Sequence, residues 1–428
     1  MFLLSIASAI AGRFSMVEQS FYYTFLSIAG LQSLFEMGFG QVVTQNVAHV
    51  HGRLKNLGGA NGNQSAGDFN LLTNLLKFSE IYYSWISAIF IIIVGIGGHL
   101  YFQTNPSGKQ VDWQISWWLF IISTGVTVRN TRRLAVLEGF GCINWIVRNR
   151  LYINLGRNVI TLSLILNDVG LVALSCGVAF YCLCTWVCVE KEYHRQLIIY
   201  NRENSKHKSD RDSLVQLWHK LWPMQSRLAL SYLAGFFIFA ATTPILLTFC
   251  GPDAAARFGI TWTLLQGVSG IAIAWNSTKA AVYGRLAGEK DFEALWQKWS
   301  KTLLQSLGVC VCGLTALGVY VGVIVPWMGV EQKFLSVPEM IPLMVASSMS
   351  VIGYAMAIYA RSQLHEIFAP ASLVSGFTSV VFVALAAIYL SIAWVPWAYL
   401  AASIVSSFVA FPTFIRFRRR QSLIDKTS

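Results

Sequence analysis

IYYSWISAIFIIIVGIGGHLYF, residues Ile81 to Phe102, contains no Asp, Glu, Lys or Arg. Wound as a helix at about 1.5 Å per residue it reaches about 33 Å, enough to cross a hydrocarbon core of about 30 Å. Reading outward, comparable apolar runs recur along the whole chain. They are Met1 to Ala11 (short), Phe21 to Val43, Ile81 to Phe102, Trp113 to Val128, Leu151 to Asn167 and Gly170 to Val189. After a polar stretch come Met224 to Phe249, Phe258 to Val282, Leu303 to Pro326, Met340 to Ala360, Ala371 to Ile388 and Ser391 to Phe414. The pattern predicts an all-α, polytopic membrane protein of about twelve spans. Composition agrees, since the 428 residues are 55% hydrophobic and 12% charged, against about 25% charged in soluble domains.

The net charge of +12 raises the question of nucleic-acid binding, and the position of the cations answers it. They lie between the apolar runs, as membrane orientation requires, and not along one recognition face. Loops after even-numbered spans hold Arg53, Lys55 and Lys77, then Arg129, Arg132, Arg133, Arg148 and Arg150. The bias continues through Lys191 to Lys220, then Arg285, Lys290, Lys298, Lys301 and Arg361, and ends in Arg416, Arg418, Arg419, Arg420 and Lys426. Loops after odd-numbered spans hold Arg13, Lys109, Arg257 and Lys333. Both termini are therefore expected in the cytoplasm. Most of the eight cysteines (Cys176, Cys182, Cys184, Cys188, Cys310, Cys312) sit in apolar runs without paired CxxC units or histidines at ligand spacing, and read as small apolar fillers. No metal and no cofactor is implied.

The longest polar stretch, Glu190 to Lys220, divides the spans six and six. The expected organisation is an N-terminal six-helix bundle over 1–190 with a short first helix, a cytoplasmic linker over 191–222, and a C-terminal six-helix bundle over 223–428. LGGANGNQSAGDFN, Leu57 to Asn70, reads as a loop, because no Lys-Ser/Thr follows its glycines to make a phosphate cradle. The match of HGRL at His51 to Leu54 with YGRL at Tyr283 to Leu286 hints at an internal repeat, and hence at two parallel halves.

Ionisable groups inside spans are costly in lipid and so mark interior-facing sites. Arg157 lies two turns beyond Arg150, with Asn154 and Asn158 near the same face. Lys279 follows Trp275, Asn276 and Ser277, Arg227 marks the entry to span seven, and Glu36 sits within span two. Cations with amide neighbours suit phosphate and sugar, giving Arg157, Lys279, Arg227, Asn154, Asn158 and Asn276 as candidate substrate-binding residues. Arg227 has snorkelling to the headgroups as its alternative. Glu36 is the candidate ion-coupling residue, with structural pairing as the alternative reading. Pro244, Pro326, Pro342, Gly267 and Gly270 are candidate hinges.

Glu18 to Gly40, EQSFYYTFLSIAGLQSLFEMGFG, followed by Gln45, Ala48 and His49, resembles the second span of Wzx-like polysaccharide flippases of the MOP superfamily. So do Pro223 to Phe239 with Pro244 and Gly251, Arg257 to Thr261, and Ala274 to Lys279 with the YGRL motif. The resemblance implies a MATE-like fold of two six-helix bundles about a central cationic cavity, in a bacterial inner membrane. It implies movement of undecaprenyl-pyrophosphate-linked oligosaccharide to the outer leaflet, H+ or Na+ as coupling ion, and polysaccharide assembly proteins as partners. Two other functions compete. A multidrug-type antiporter of the same superfamily wants acidic groups in the lumen, where Glu36 qualifies, with Asp168 at a span end. A polymerase or ligase wants catalytic groups on a large external loop, and the outer loops here are short and poor in Asp, Glu and His.

Overall fold

The computed structural model describes residues 2–56, 62–201, 222, 226, 229–230, 232–238, 240–288, 291–363 and 367–425. They form helices α1 (Phe2–Arg13), α2 (Met16–Ala29), α3 (Leu31–Glu36), α4 (Phe39–Asn56), α5 (Gly62–Thr104), α6 (Gln114–Gly139), α7 (Ile143–Leu166) and α8 (Val172–Asn201). Then come α9 (Tyr232–Ile238), α10 (Thr242–Phe249), α11 (Pro252–Ser277), α12 (Ala280–Gly288), α13 (Phe292–Val319), α14 (Val325–Trp327), α15 (Val337–Arg361), α16 (Ala369–Tyr389) and α17 (Val395–Asp425). The all-α expectation holds, with no strand among the described residues.

Of the twelve apolar runs, seven correspond among the described residues to helices long and apolar enough to cross a membrane unaided, or eight if the bent pair α9–α10 is one span. The remainder fall short for identifiable reasons. One run is short at α1, α6 carries Arg129, Arg132 and Arg133 in its second half, and α7 carries Arg148, Arg150 and Arg157. Span two is interrupted: Met37 and Gly38 both take positive φ, at 50° and 71°, which stops α3 and restarts the chain as α4. The αL residue Met37 closes α3 by donating its N–H to the Ser33 carbonyl. Elsewhere the outer faces are apolar, with Trp85, Ile92, Ile93, Ile96 and Leu100 of α5 all exposed. Such a face suits lipid and not water.

Several sequence expectations shift. The Gly- and Asn-rich stretch is helical from Gly62 onward, as the first turns of α5. The polar stretch after Glu190 continues α8 to Asn201, and the rest of the expected linker, 202–221, lies outside the described residues. Gly267 and Gly270 lie inside an uninterrupted α11, whereas Pro244 follows a 44° bend between α9 and α10. Before Pro326, residues Tyr320–Ile324 form a π turn. Pro326 has no N–H and crowds the carbonyl four residues back, so the wider turn relieves the helix there.

The chain forms two compact units: Ile28–Tyr232, and Met1–Ser27 with Leu233–Ser428. This differs from a division at the central polar stretch, because the first 27 residues pack with the C-terminal helices. Gln19, fully buried, is the pin. Its Nε2 donates to the Ala256 carbonyl of α11 at 3.0 Å and to the Lys333 carbonyl at 3.1 Å. Gly259 sits where a Cβ would lie 2.4 Å from that of Tyr23, so α2 and α11 approach closely there. Lys333 returns its ammonium to the Phe14 carbonyl. Burial holds that ammonium below the usual lysine range, with the Glu18 charge opposing the shift. Gln19→Leu is expected to cost about 1–3 kcal/mol by leaving these acceptors short of a donor. Thermal unfolding of the purified variant checks it, and an unchanged midpoint would rule out the pin.

The unit Ile28–Tyr232 is fastened at the end where α5, α6 and α8 meet. Arg132 of α6, buried, lies 3.6 Å from Glu80 of α5 and over the Tyr193 ring of α8 at 5.3 Å. Its neighbour Arg133 pairs with Glu190 at 2.6 Å. These arginines were expected in a loop, but α6 runs on to Gly139, so they tie helices together.

Candidate functional site

The interruption between α3 and α4 positions the first candidate. Helix α4 starts at Phe39 with Gly38 before it, and a glycine has no side chain to cap the free N–H groups of a first turn. Glu36, the last residue of α3, sets its carboxylate against that first turn, with Oε1 2.8 Å from where a Cβ on Gly40 would stand. On the other side Tyr83 of α5 donates its hydroxyl to Glu36 Oε1 at 3.0 Å. Neither glycine beside it has room for a side chain. A Cβ at Gly40 would lie 2.8 Å from Oε1 and 3.2 Å from the Tyr83 hydroxyl, and one at Gly38 only 2.5 Å from the Tyr232 ring. The Tyr82 and Phe39 rings meet beside it, tilted by 44° with centroids 4.2 Å apart. Glu36 forms no ion pair among the described residues; its neighbours are a phenol and a helix N-terminus.

The second candidate runs along α7. Arg150, Asn154, Arg157 and Thr161 recur at spacings of four, three and four, which places them on one stripe. Arg150 is paired with Glu138 at 3.4 Å. Asn154 spends its amide on the Arg150 carbonyl at 2.7 Å. Arg157, half-buried in the middle of α7, has its guanidinium 5.7 Å from the Tyr181 ring of α8 and no acidic partner among the described residues. Gly177 makes room for this: a Cβ there would meet Thr161 Oγ1 at 2.0 Å and the Arg157 stem at 3.4 Å. Asn158 is half-buried on the adjoining face.

In the other unit, α11 ends at Ser277 and α12 begins at Ala280, leaving Lys279 in the intervening turn. Lys279 is half-buried, with no ion pair or side-chain hydrogen bond among the described residues. Asn276 is different. It is fully buried and donates to Ser306 of α13 at 2.7 Å, so its amide joins two helices. Arg227 lies outside the described residues. Of the aromatics near these cations, Trp275 and Tyr152 are exposed, while Trp262 is buried on Phe258 and Tyr399.

Tyr83 and Tyr181 were not anticipated. Each comes from a different helix than the charge it meets, and nothing local distinguishes it from an ordinary membrane-helix tyrosine.

No family model matches the chain and no curated protein matches it. Solved structures do. A multidrug resistance MATE family transporter of the MOP superfamily, in an inward-facing conformation, superposes with a TM-score of 0.66 at 14% identity, covering 100% of this chain and 96% of that one. A Vibrio cholerae MATE transporter mutant gives 0.58 at 13% identity, over 98% and 94% of the two chains. A MOP superfamily transporter from Pyrococcus furiosus, described as having a binding pocket of reversed polarity, gives 0.54 at 16% identity over 99% and 95%. The chain has the same MATE-like fold as these transporters.

Proposed function

We propose that this chain is a flippase, carrying undecaprenyl-pyrophosphate-linked oligosaccharide from the cytoplasmic to the outer leaflet of a bacterial inner membrane, with both termini cytoplasmic. The observation that carries the reading is Arg157, half-buried in the middle of α7 against an aromatic ring and without an acidic partner among the described residues. A guanidinium in that setting retains donors for a phosphate, and its planar fork matches two phosphate oxygens at once. Lys279 adds a second unpaired cation among the described residues, at a helix interruption, a kind of place where membrane transporters build sites. Substrate binding is assigned to Arg157, Lys279 and Arg227, with Asn154 and Asn158 as sugar-facing amides. Asn276, spent on Ser306, acts through helix packing. Glu36 is the coupling residue, and polysaccharide assembly proteins are the expected partners.

A second reading is a multidrug-type antiporter. It is favoured by Glu36, a carboxylate inside span two surrounded by tyrosine rings, which suits a cationic amphiphile. One experiment separates the two. In a strain lacking the gene, lipid-linked precursor should accumulate on the cytoplasmic leaflet while surface polymer is lost, and restoring the gene should reverse both. Precursor on the outer leaflet would point to polymerisation or ligation. Unchanged polymer with heightened sensitivity to cationic drugs would establish the antiporter.

A further inference from the structure

We propose that the place where the start of α13 meets the end of α17 binds the headgroup of an anionic phospholipid. Arg418, Arg416, Lys298 and Lys301 hold the head, and the acyl chains lie along the apolar faces of the two helices. The inference goes beyond the transport reading and does not depend on what the chain carries.

Among the described spans these two have the least of their length inside the protein, 28% for α13 and 17% for α17. On α17 the exposed residues Ile404, Phe408, Phe411 and Ile415 recur at spacings of four, three and four, which is one stripe of a helix. Arg418 and Arg419, also exposed, take the next step of that stripe. On α13 the exposed Val311 and Leu304 lie two turns apart, and Lys301 and Lys298 continue their stripe in steps of three. Each stripe therefore passes from apolar to cationic within one turn, about 5 Å of helix. A phospholipid presents the same order, chains and then a charged head.

One contact joins the two stripes. Arg418 Cζ stands 3.3 Å from the centroid of the Trp296 ring. Trp296 is braced in turn, with its centroid 4.8 Å from that of Trp299 and its ring edge-on to Tyr359 at 6.1 Å. Trp299 is fixed by donating Nε1–H to the Ala355 carbonyl of α15 at 2.9 Å. Stacking occupies the face of a guanidinium and leaves its in-plane N–H groups for an acceptor. Arg418 is thus held in place without spending the donors that a phosphate uses.

The local charge selects an anionic head. Arg416, Arg418, Lys298 and Lys301 form no ion pair among the described residues. The acids at this end are otherwise engaged: Glu293 receives the Gln297 amide at 3.2 Å, and Asp291 caps α13 by accepting the Ala294 N–H at 2.9 Å. Helix α17 has no acid before Asp425. A zwitterionic head brings a cation of its own, which such a surface repels, whereas an anionic head brings only the phosphate charge. A free phosphate lacks the chains that the two apolar stripes receive.

The test uses the full chain purified in detergent, with phosphatidylglycerol as the probe and phosphatidylcholine of the same acyl chains as its control. Native mass spectrometry over a lipid titration gives the apparent Kd, and the melting midpoint in phosphatidylcholine alone shows that each variant is folded. The expected result is tighter retention of phosphatidylglycerol, weakened roughly tenfold by Arg418→Gln and severalfold by Lys301→Gln. Trp296→Leu keeps every charge and should also weaken retention, because the arginine loses its platform. Arg148→Gln removes an equal charge from an exposed position on α7 and should change nothing. Lys301 is exposed, so its variant decides the matter even where those at Arg418 and Trp296 do not fold. Equal retention of the two lipids overturns the anionic site. Equal losses in Arg148→Gln and Lys301→Gln overturn it as well, by reducing it to diffuse attraction. Displacement of phosphatidylglycerol by an equal concentration of inorganic phosphate would show a site for phosphate alone and overturn the lipid. None of these readings involves lipid-linked sugar, so they stand or fall separately from the flippase assignment.

Discussion

Arg157→Ala is expected to remove surface polymer almost completely while leaving normal amounts of folded protein in the membrane. A hydrogen bond to a charged group is worth about 1.5–3 kcal/mol, so losing this cation from a phosphate-binding step should slow it roughly ten- to hundredfold. Arg157→Lys keeps the charge and loses the planar fork, and should fall between the two. Tyr181→Phe keeps the ring beneath the guanidinium and should behave nearly as the wild type, whereas Tyr181→Ala should reproduce part of the loss. Labelled precursor in each leaflet, measured beside an immunoblot of membrane fractions, checks the series. Full polymer in the alanine variant would detach Arg157 from transport and make its contact with α8 purely structural.

Gly38→Ala should be strongly damaging. Two costs add. An L residue in the left-handed region loses about 1–2 kcal/mol relative to glycine. The new methyl group would lie 2.5 Å from the Tyr232 ring, and overpacking of this kind costs about 1–3 kcal/mol. The total, about 2–5 kcal/mol, is a large share of the stability of an ordinary domain. Tyr232→Ala combined with Gly38→Ala should recover the steric part and leave the conformational part. Met37→Gly should act in the opposite direction, because Met37 holds φ of 50° with a side chain attached. Unfolding rates of the purified variants in detergent provide the comparison, and a Gly38→Ala protein as durable as the wild type would mean that the interruption can be straightened at little cost.

Both predictions concern residues whose importance was legible in the sequence to different degrees. Arg157 announced itself, since an arginine two turns beyond Arg150 and inside an apolar run has no inexpensive place in lipid. Glu36 did the same. Asn276 was equally conspicuous, as an amide beside Lys279, but tertiary packing turned it into the neighbour of Ser306, a contact 30 residues away that no local pattern encodes. Gly38 was not singled out at all: glycine is common in membrane helices, and only the backbone angles distinguish one that ends a helix from one that merely lets another helix approach.

The sequence by itself determined that the chain is helical and made for lipid, because apolar runs of span length with few charges have one economical solution in a bilayer. It also determined which ionisable residues lie within those runs, since their depth follows from counting along a helix at fixed rise. Tertiary structure alone decided three things: that span two stops and restarts at Met37 and Gly38, that residues 1–27 pack through Gln19 with the C-terminal helices, and that Tyr83 and Tyr181 meet Glu36 and Arg157. The reason is the same in each case. Spans are specified by local hydrophobicity, whereas partners are specified by the fit of side chains between different helices.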